Sequence, residues 1–507
     1  MGARAAALPP STAIETPRDV ASKRKSSSHS SSTVVSFSTI SSRFVKVGLG
    51  GQHTGFALPG RAAAPDLYRM HEGRRTSAWA RTLDRVRWIG PGMVMAATAI
   101  GASHLVLAPT AGAAFGYALL WVIPFSHLFK YPAFEFGPRF AVATGTSLLD
   151  GYSAIPGPRG WALWIFLAGT IVQGVTVLAG VLGVSAAVVA AALPPGIPIP
   201  LLSLLIGLLC ALLLWSGGFD GLSGLSKWML LGLSLMTVVA FVSRPPTAGF
   251  WTGLVVPTIP AGSLLLFGAL LGWMPTGIDV SVWHSLWALE RRSTWEATAG
   301  RAGYSGSKGA LRVGIADMRF GYGLSFALAV MFVVLGAEVL RPLGETPAGA
   351  GVAITIARLY TEVLGAWVYP FFLAAAFLGM FSTAYGVLDG FPRAFRETIR
   401  LLRRRGGEPG AERRTGGLLY WGFLLGSLAL ALAETAIIPD PVILVTIAAV
   451  ASFLIAPVLY ALNYVCVTRL IPDPELRPGG ALRTWAAVGI VCMLAATGLF
   501  LYLLVAG

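Results

Sequence analysis

Two short polar stretches stand inside apolar runs of the sequence: Gly101-Ala102-Ser103-His104 and Met274-Pro275-Thr276-Gly277-Ile278-Asp279. Their residue types could hold a metal cation. His104 offers imidazole and Met274 a thioether, while Ser103, Thr276 and loosened backbone carbonyls offer oxygen. That mixture suits ions of the Mn, Fe, Co and Zn class better than Mg²⁺ or Ca²⁺, whose shells are all oxygen. Asp279 is the one acid in either stretch. A carboxylate in apolar surroundings is costly without a cation partner, which makes it a functional candidate. It can supply the negative charge a dication needs, or cap the helix that comes after it; both roles are open. A second group consists of Lys130, Glu135 and Arg139. Glu135 and Arg139, four apart, share a helix face and can pair, with Lys130 off that face. An internal ion pair and a gate or proton relay are alternative uses for the group. His127 and His284 are of the type suited to carrying protons near neutral pH, and Asp389 with Arg393 makes a further pair at helical spacing.

The elements that must position these residues are membrane spans. The chain of 507 residues is 55% hydrophobic and only 12% charged, against about 25% charge in a soluble domain. Its mean hydropathy is +0.71. These values exclude an ordinary soluble enzyme, a disordered protein and a nucleic-acid-binding domain. Cys210, Cys466 and Cys492 all sit in apolar runs, so neither a disulfide framework nor a zinc-finger spacing is present. A spanning helix needs about 20 apolar residues. The chain offers eleven candidate spans, at 91–116, 118–141, 161–192, 198–216, 226–243, 262–289, 320–340, 365–389, 416–436, 441–468 and 484–505. Helix breakers such as Pro194-Pro195 and Pro245-Pro246 separate them.

Residues 1–88 hold 14 Lys/Arg and 5 Asp/Glu, so +9 of the net +15 lies there. The Ser/Arg-rich stretch 1–75, with Lys23-Arg24-Lys25 before a serine run, is expected to be a disordered tail with no secretory signal; Met70 is an alternative start. Two loops carry most of the remaining charge. Glu290 to Arg319 has 6 Lys/Arg against 3 acids, and Arg393 to Arg414 has 8 Arg against 3 Glu. Both fall on one side if the N-terminus is cytoplasmic, which predicts a multi-pass protein of the plasma or bacterial inner membrane with its lipid-facing charge inside. Trp88, Trp161, Trp164, Trp228 and Trp421 stand near span ends, as interfacial anchors do.

The polar stretches interrupt spans 1 and 6. Pro275 removes a backbone donor and Gly277 weakens winding further. Loose carbonyls at membrane depth are tolerated beside protein or a wet cavity. Interruptions five spans apart, at equivalent places in two five-helix halves, match a transporter with inverted repeats and a midplane site.

The stretch Gly90-Pro91-Gly92, with Ala111-Gly112-Ala113-Ala114-Phe115-Gly116-Tyr117-Ala118-Leu119-Leu120-Trp121, resembles the first span of Nramp-type divalent-metal transporters and the residues just after that span. Ala141-Val142-Ala143-Thr144-Gly145, Leu254-Val255-Val256-Pro257 and Met274-Pro275 resemble the same family. The similarity runs from about 88 to 500. It implies an all-α LeuT-type fold of ten core helices in two inverted repeats (91–243 and 262–468), with spans 1 and 6 broken, and an extra helix at 484–505. It also implies uptake of ions such as Mn²⁺ or Fe²⁺ coupled to protons. By this resemblance Gly101 stands where the family has a ligand Asp, His104 where it has a ligand Asn, Leu271 at the carbonyl-donating position, Met274 at the Met ligand and Thr276 at a His. Span 3 has no acid and span 9 no arginine, where the family's proton route has them. Asp279 is then placed to replace the charge missing at Gly101.

No catalytic triad, Walker loop or Rossmann glycine pattern occurs in a strand-to-helix context, so the expectation is a secondary transporter that is not an enzyme and has no cofactor. Its partners are the bilayer, the transported cation and protons, and not nucleic acid. Divalent-metal import is the first reading. Carriage of an organic solute such as an amino acid, and a non-transporting membrane sensor, are the rivals.

Overall fold

Each stretch expected to cross the membrane is mainly helical where the structure describes it, with a non-helical interruption at 274–278. The computed structural model describes Met95 and residues 100–216, 219–403 and 409–506. Span 1 is a π turn, Ser103–Leu107, running into Ala108–Phe115; span 2 is Val122–Thr144, span 3 Trp161–Ala190, span 4 Ile199–Ser216 and span 5 Phe219–Ser243. Span 6 is divided into Leu264–Trp273 and Asp279–Arg301. Span 7 is Gly306–Leu335 with a π turn at Gly336–Leu340, span 8 Tyr369–Arg403, span 9 Pro409–Ile437, span 10 Pro441–Val465 with a π turn at Cys466–Leu470, and span 11 Gly480–Ala506. Among the described residues there is no strand.

Seven of these helices, spans 3, 4 and 7 to 11, are long and apolar enough to cross a membrane by length and composition. Of the other four candidates, spans 1 and 6 are divided and span 2 is charged, with Lys130, Glu135 and Arg139; span 5 is a helix of 25 residues. The stretch Glu290 to Arg319, expected as a loop, is nearly all helix, because span 6 runs on to Arg301 and span 7 starts at Gly306. Asp317, counted there as a loop acid, is fully buried within span 7. Span 8 likewise extends to Arg403. The expected N-terminal tail, Gly90-Pro91-Gly92, Trp88 and Arg404-Arg405 lie outside the described residues.

Helix packing obeys a two-fold exchange of spans 1–5 with spans 6–10. Span 2 packs on span 7 and span 3 on span 8, each against its own counterpart. Span 3 meets span 10 as span 8 meets span 5, and span 2 meets the second half of span 6 as span 7 meets the described end of span 1. Even the joining helices correspond: Leu148–Ala154, started by a Ser147/Asp150 capping box, lies between spans 2 and 3, and Val352–Leu364 between spans 7 and 8. Span 11 lies outside the exchange, against spans 2 and 10.

Lipid tails are as apolar as leucine, so spans associate by close packing, which favours small residues at contacts. A Cβ at Gly272 of span 6 would stand 1.9 Å from the Ala449 carbonyl oxygen of span 10, and one at Gly112 of span 1 would stand 2.0 Å from the Val333 carbonyl oxygen of span 7. These glycines let both interrupted spans approach backbone to backbone.

Candidate functional site

A residue before proline is pushed out of helical backbone by the pyrrolidine ring. Met274, before Pro275, accordingly takes extended backbone (φ −101°, ψ 117°), and span 6 stops at Trp273. The chain re-enters the helix at Asp279. Ile278 is the N-cap, without a side-chain cap bond, so the capping position expected for Asp279 falls one residue earlier. Asp279 sits in the first turn, where the helix dipole favours a negative charge. Its carboxylate folds back over Gly277, where a Cβ would be 2.2 Å from its Oδ1.

Stopping a helix releases its last carbonyls. Here they are gathered by one side chain from span 2. The Lys130 ammonium, fully buried, donates to the carbonyls of Leu271 (2.9 Å), Gly272 (2.8 Å), Met274 (3.0 Å) and Thr276 (3.0 Å). The Leu271 carbonyl, a ligand by resemblance, is thus engaged within the protein.

Span 1 is interrupted more gently. The Gly101 carbonyl accepts from the N–H groups of both His104 and Leu105, and the winding widens into the π turn. His104 is fully buried and turned towards span 7: one ring nitrogen lies 2.9 Å from Ser103 Oγ, the other 2.9 Å from the Ser325 carbonyl oxygen and 3.0 Å from its hydroxyl. Gly101 abuts span 8, where a Cβ would be 2.7 Å from Thr383 Oγ1.

Between the interruptions lies a cavity of about 40 Å³. Span 1 contributes Ala102 and Ser103; span 3 contributes Gln173, Val177 and Val181; span 6 contributes Trp273, Thr276, Gly277, Asp279, Val280 and Trp283; span 8 contributes Thr383, Val387 and Phe391; span 10 contributes Ser452. Of the residues expected from the sequence, Ser103, Thr276 and Asp279 meet here. Gly101, His104, Leu271 and Met274 surround the breaks without lining the cavity. Gln173, Thr383 and Ser452 are lining residues that the sequence did not single out; their one signal is a polar side chain inside a predominantly apolar stretch. The Trp273 indole donates to Ser452 Oγ (3.0 Å), which donates to Gln173 Oε1 (2.5 Å). On another side Trp283 stands edge-to-face with Phe391, ring centroids 4.6 Å apart. Two indoles therefore bracket a space whose polar atoms are a carboxylate, hydroxyls and one amide. Among the described residues no three His, Cys, Asp or Glu side chains converge.

The second predicted group divides. Arg139 pairs with Glu135 at 2.5 Å, Tyr131 donates to Glu135 at 2.6 Å, and Arg319 of span 7 lies 3.5 Å from it. This ionic knot is separate from the cavity lining, whereas Lys130 belongs to the span 6 break. His284 is fully buried, and neither ring nitrogen has a hydrogen-bond partner among the described residues. Asp389 and Arg393 pair at 2.7 Å.

A two-fold bundle with a divided span and a buried polar cavity at the division defines a membrane transporter of the LeuT type. Solved structures share the fold. A manganese transporter of Eremococcus coleocola superposes with a TM-score of 0.58 at 13% identity, covering 83% of this chain and 87% of that one. MhsT in complex with L-phenylalanine superposes with a TM-score of 0.51 at 13% identity, covering 82% and 98%. The fold therefore serves unlike ligands. The family is given by sequence: residues 92–503 match the family described as natural resistance-associated macrophage protein-like, and the chain belongs to it. An uncharacterized protein of Pasteurella multocida is 29% identical over 445 residues, 86% of this chain and 96% of its own length. The divalent metal cation transporter MntH of Klebsiella pneumoniae is 30% identical over 187 residues, 36% of this chain and 44% of its own. The chain spans under half the length of that curated relative.

Proposed function

We propose that the protein moves divalent metal cations across the membrane by alternating access at the cavity beside the span 6 break. Asp279 carries this reading. It is a buried carboxylate at the positive start of a half-helix, facing a space of about 40 Å³ between the interrupted spans. A dication in low dielectric needs compensating negative charge, and Asp279 provides it. Ser103, Thr276, Thr383, Ser452 and Gln173 offer neutral oxygens. A single carboxylate with neutral donors is a weak site, as a cargo site must be if the ion is to leave. The relatives named as divalent metal cation transporters, and the family membership, support the same reading.

The oxygen-dominated lining refines the expected cargo. With the His104 and Met274 side chains outside it, the donors favour Mn²⁺ within the Mn/Fe class and discriminate weakly against Mg²⁺. Movement of protons with the metal, and a cytoplasmic N-terminus with the basic segments inside, belong to the same proposal; the Lys/Arg bias supports the orientation. The test is uptake into proteoliposomes, read by an internal metal-sensitive dye against Mn²⁺, Fe²⁺, Mg²⁺ and Ca²⁺, with a pH dye alongside. Saturable Mn²⁺ uptake that Asp279→Asn abolishes is the expected result. Uptake that is unchanged in Asp279→Asn removes the site, and uptake without acidification removes the proton coupling.

A further inference from the structure

The Lys130 ammonium occupies a place built for a free cation. Four carbonyl oxygens converge on it at 2.8 to 3.0 Å, two from the last turn of the first half of span 6 and two from the unwound stretch that follows. An ammonium has three donors, so the arrangement is a main-chain cage around a charge and not a set of one-to-one bonds. In transporters with divided helices, unwound carbonyls and half-helix C-terminal ends are where coupling cations bind. Carbonyl cages also replace the hydration shell of monovalent ions. Lys130 has no acid of its own on span 2, because Glu135 is taken up by Arg139, Tyr131 and Arg319. The charge that acts on it is Asp279, across the break.

We infer that the carbonyls of Leu271, Gly272, Met274 and Thr276 form a monovalent-cation site, and that Lys130 is its tethered occupant. The protein thereby carries its own cation and needs neither Na⁺ nor K⁺ to hold the break in shape. It also keeps these carbonyls from any other cation. The inference concerns the break and not the cargo, so it stands or falls independently of metal transport.

The test is thermal unfolding of purified wild type, Lys130→Ala and Lys130→Met in NaCl, KCl, NH₄Cl or choline chloride at one ionic strength. Alanine opens the cage, whereas methionine fills the path to it with an uncharged chain. Lys130→Ala is expected to gain a saturable rise in Tm of about 2 °C or more with at least one small cation and none with choline. Wild type and Lys130→Met are expected to show no such preference. A folded Lys130→Ala whose Tm is the same in all four salts overturns the inference. If that variant does not survive extraction, the wild type decides: a Tm that differs between Na⁺, K⁺ and choline overturns it, and equality supports it.

Discussion

Spans 1 and 6 are interrupted at matching places by different means. In span 6, Pro275 bars Met274 from helical backbone, the winding stops, and four carbonyls are released to Lys130. From Gly101 to Leu107 span 1 has no proline; its glycine, serine and histidine only widen the winding, and the Ala108 N–H still reaches the Ser103 carbonyl. The released polarity of span 6 is met by a charge from another span. The polarity that His104 adds to span 1 is met by the neutral backbone and hydroxyl of Ser325. A break that frees carbonyls calls for a cation; the Gly101 and Ser103 carbonyls of span 1 stay bonded, and its histidine needs only a neutral partner. The electrostatics of the cavity therefore rest on span 6, through Asp279 and Lys130, and span 1 supplies mainly shape.

Four substitutions sharpen or break this contrast. The largest effect is expected at Gly272→Ala, whose Cβ would meet a backbone oxygen that no rotamer can move. It should cost about 3 kcal/mol or more of stability, read as loss of monodisperse protein. Asp279→Asn comes next: metal uptake falls about 100-fold, some 2.7 kcal/mol, while Tm stays close to wild type. Third, His104→Ala leaves Ser325 without its partner and costs about 1–2 kcal/mol in stability, with uptake within a few-fold of wild type. Abolished uptake in a stable His104→Ala would make span 1 a ligand source and end the contrast. The smallest effect is expected at Gly101→Ala, about 1 kcal/mol, because the obstacle is the Thr383 side chain. Adding Thr383→Ala should recover most of that loss of Tm, and a failure to do so would show that the backbone itself is pinned there.

Much of this was legible in the chain. Apolar length placed the helices, Pro275 placed the true break, and the lone acid beside it marked Asp279. The spacing of Glu135 and Arg139 announced their pair. Other features were hidden for physical reasons. A helical wheel gives the direction of Lys130 relative to Glu135, but not which helix stands opposite. The rotation of span 1 about its axis decides whether His104 faces the cavity or span 7, and local pattern does not encode that rotation. Gln173, Thr383 and Ser452 are polar residues scattered along three different spans, meaningful only once three helices bring them together.

Composition and hydropathy are properties of the chain, so they determined that it lies in a membrane, where its helices run and where one must break. The pairing of Lys130 with carbonyls 141 to 146 residues further along was decided by the packing of spans 2 and 6. So was the choice of donors in the cavity. Such contacts depend on how closely glycine-bearing helices approach and at what rotation, which are collective outcomes of the whole bundle and not of any local stretch.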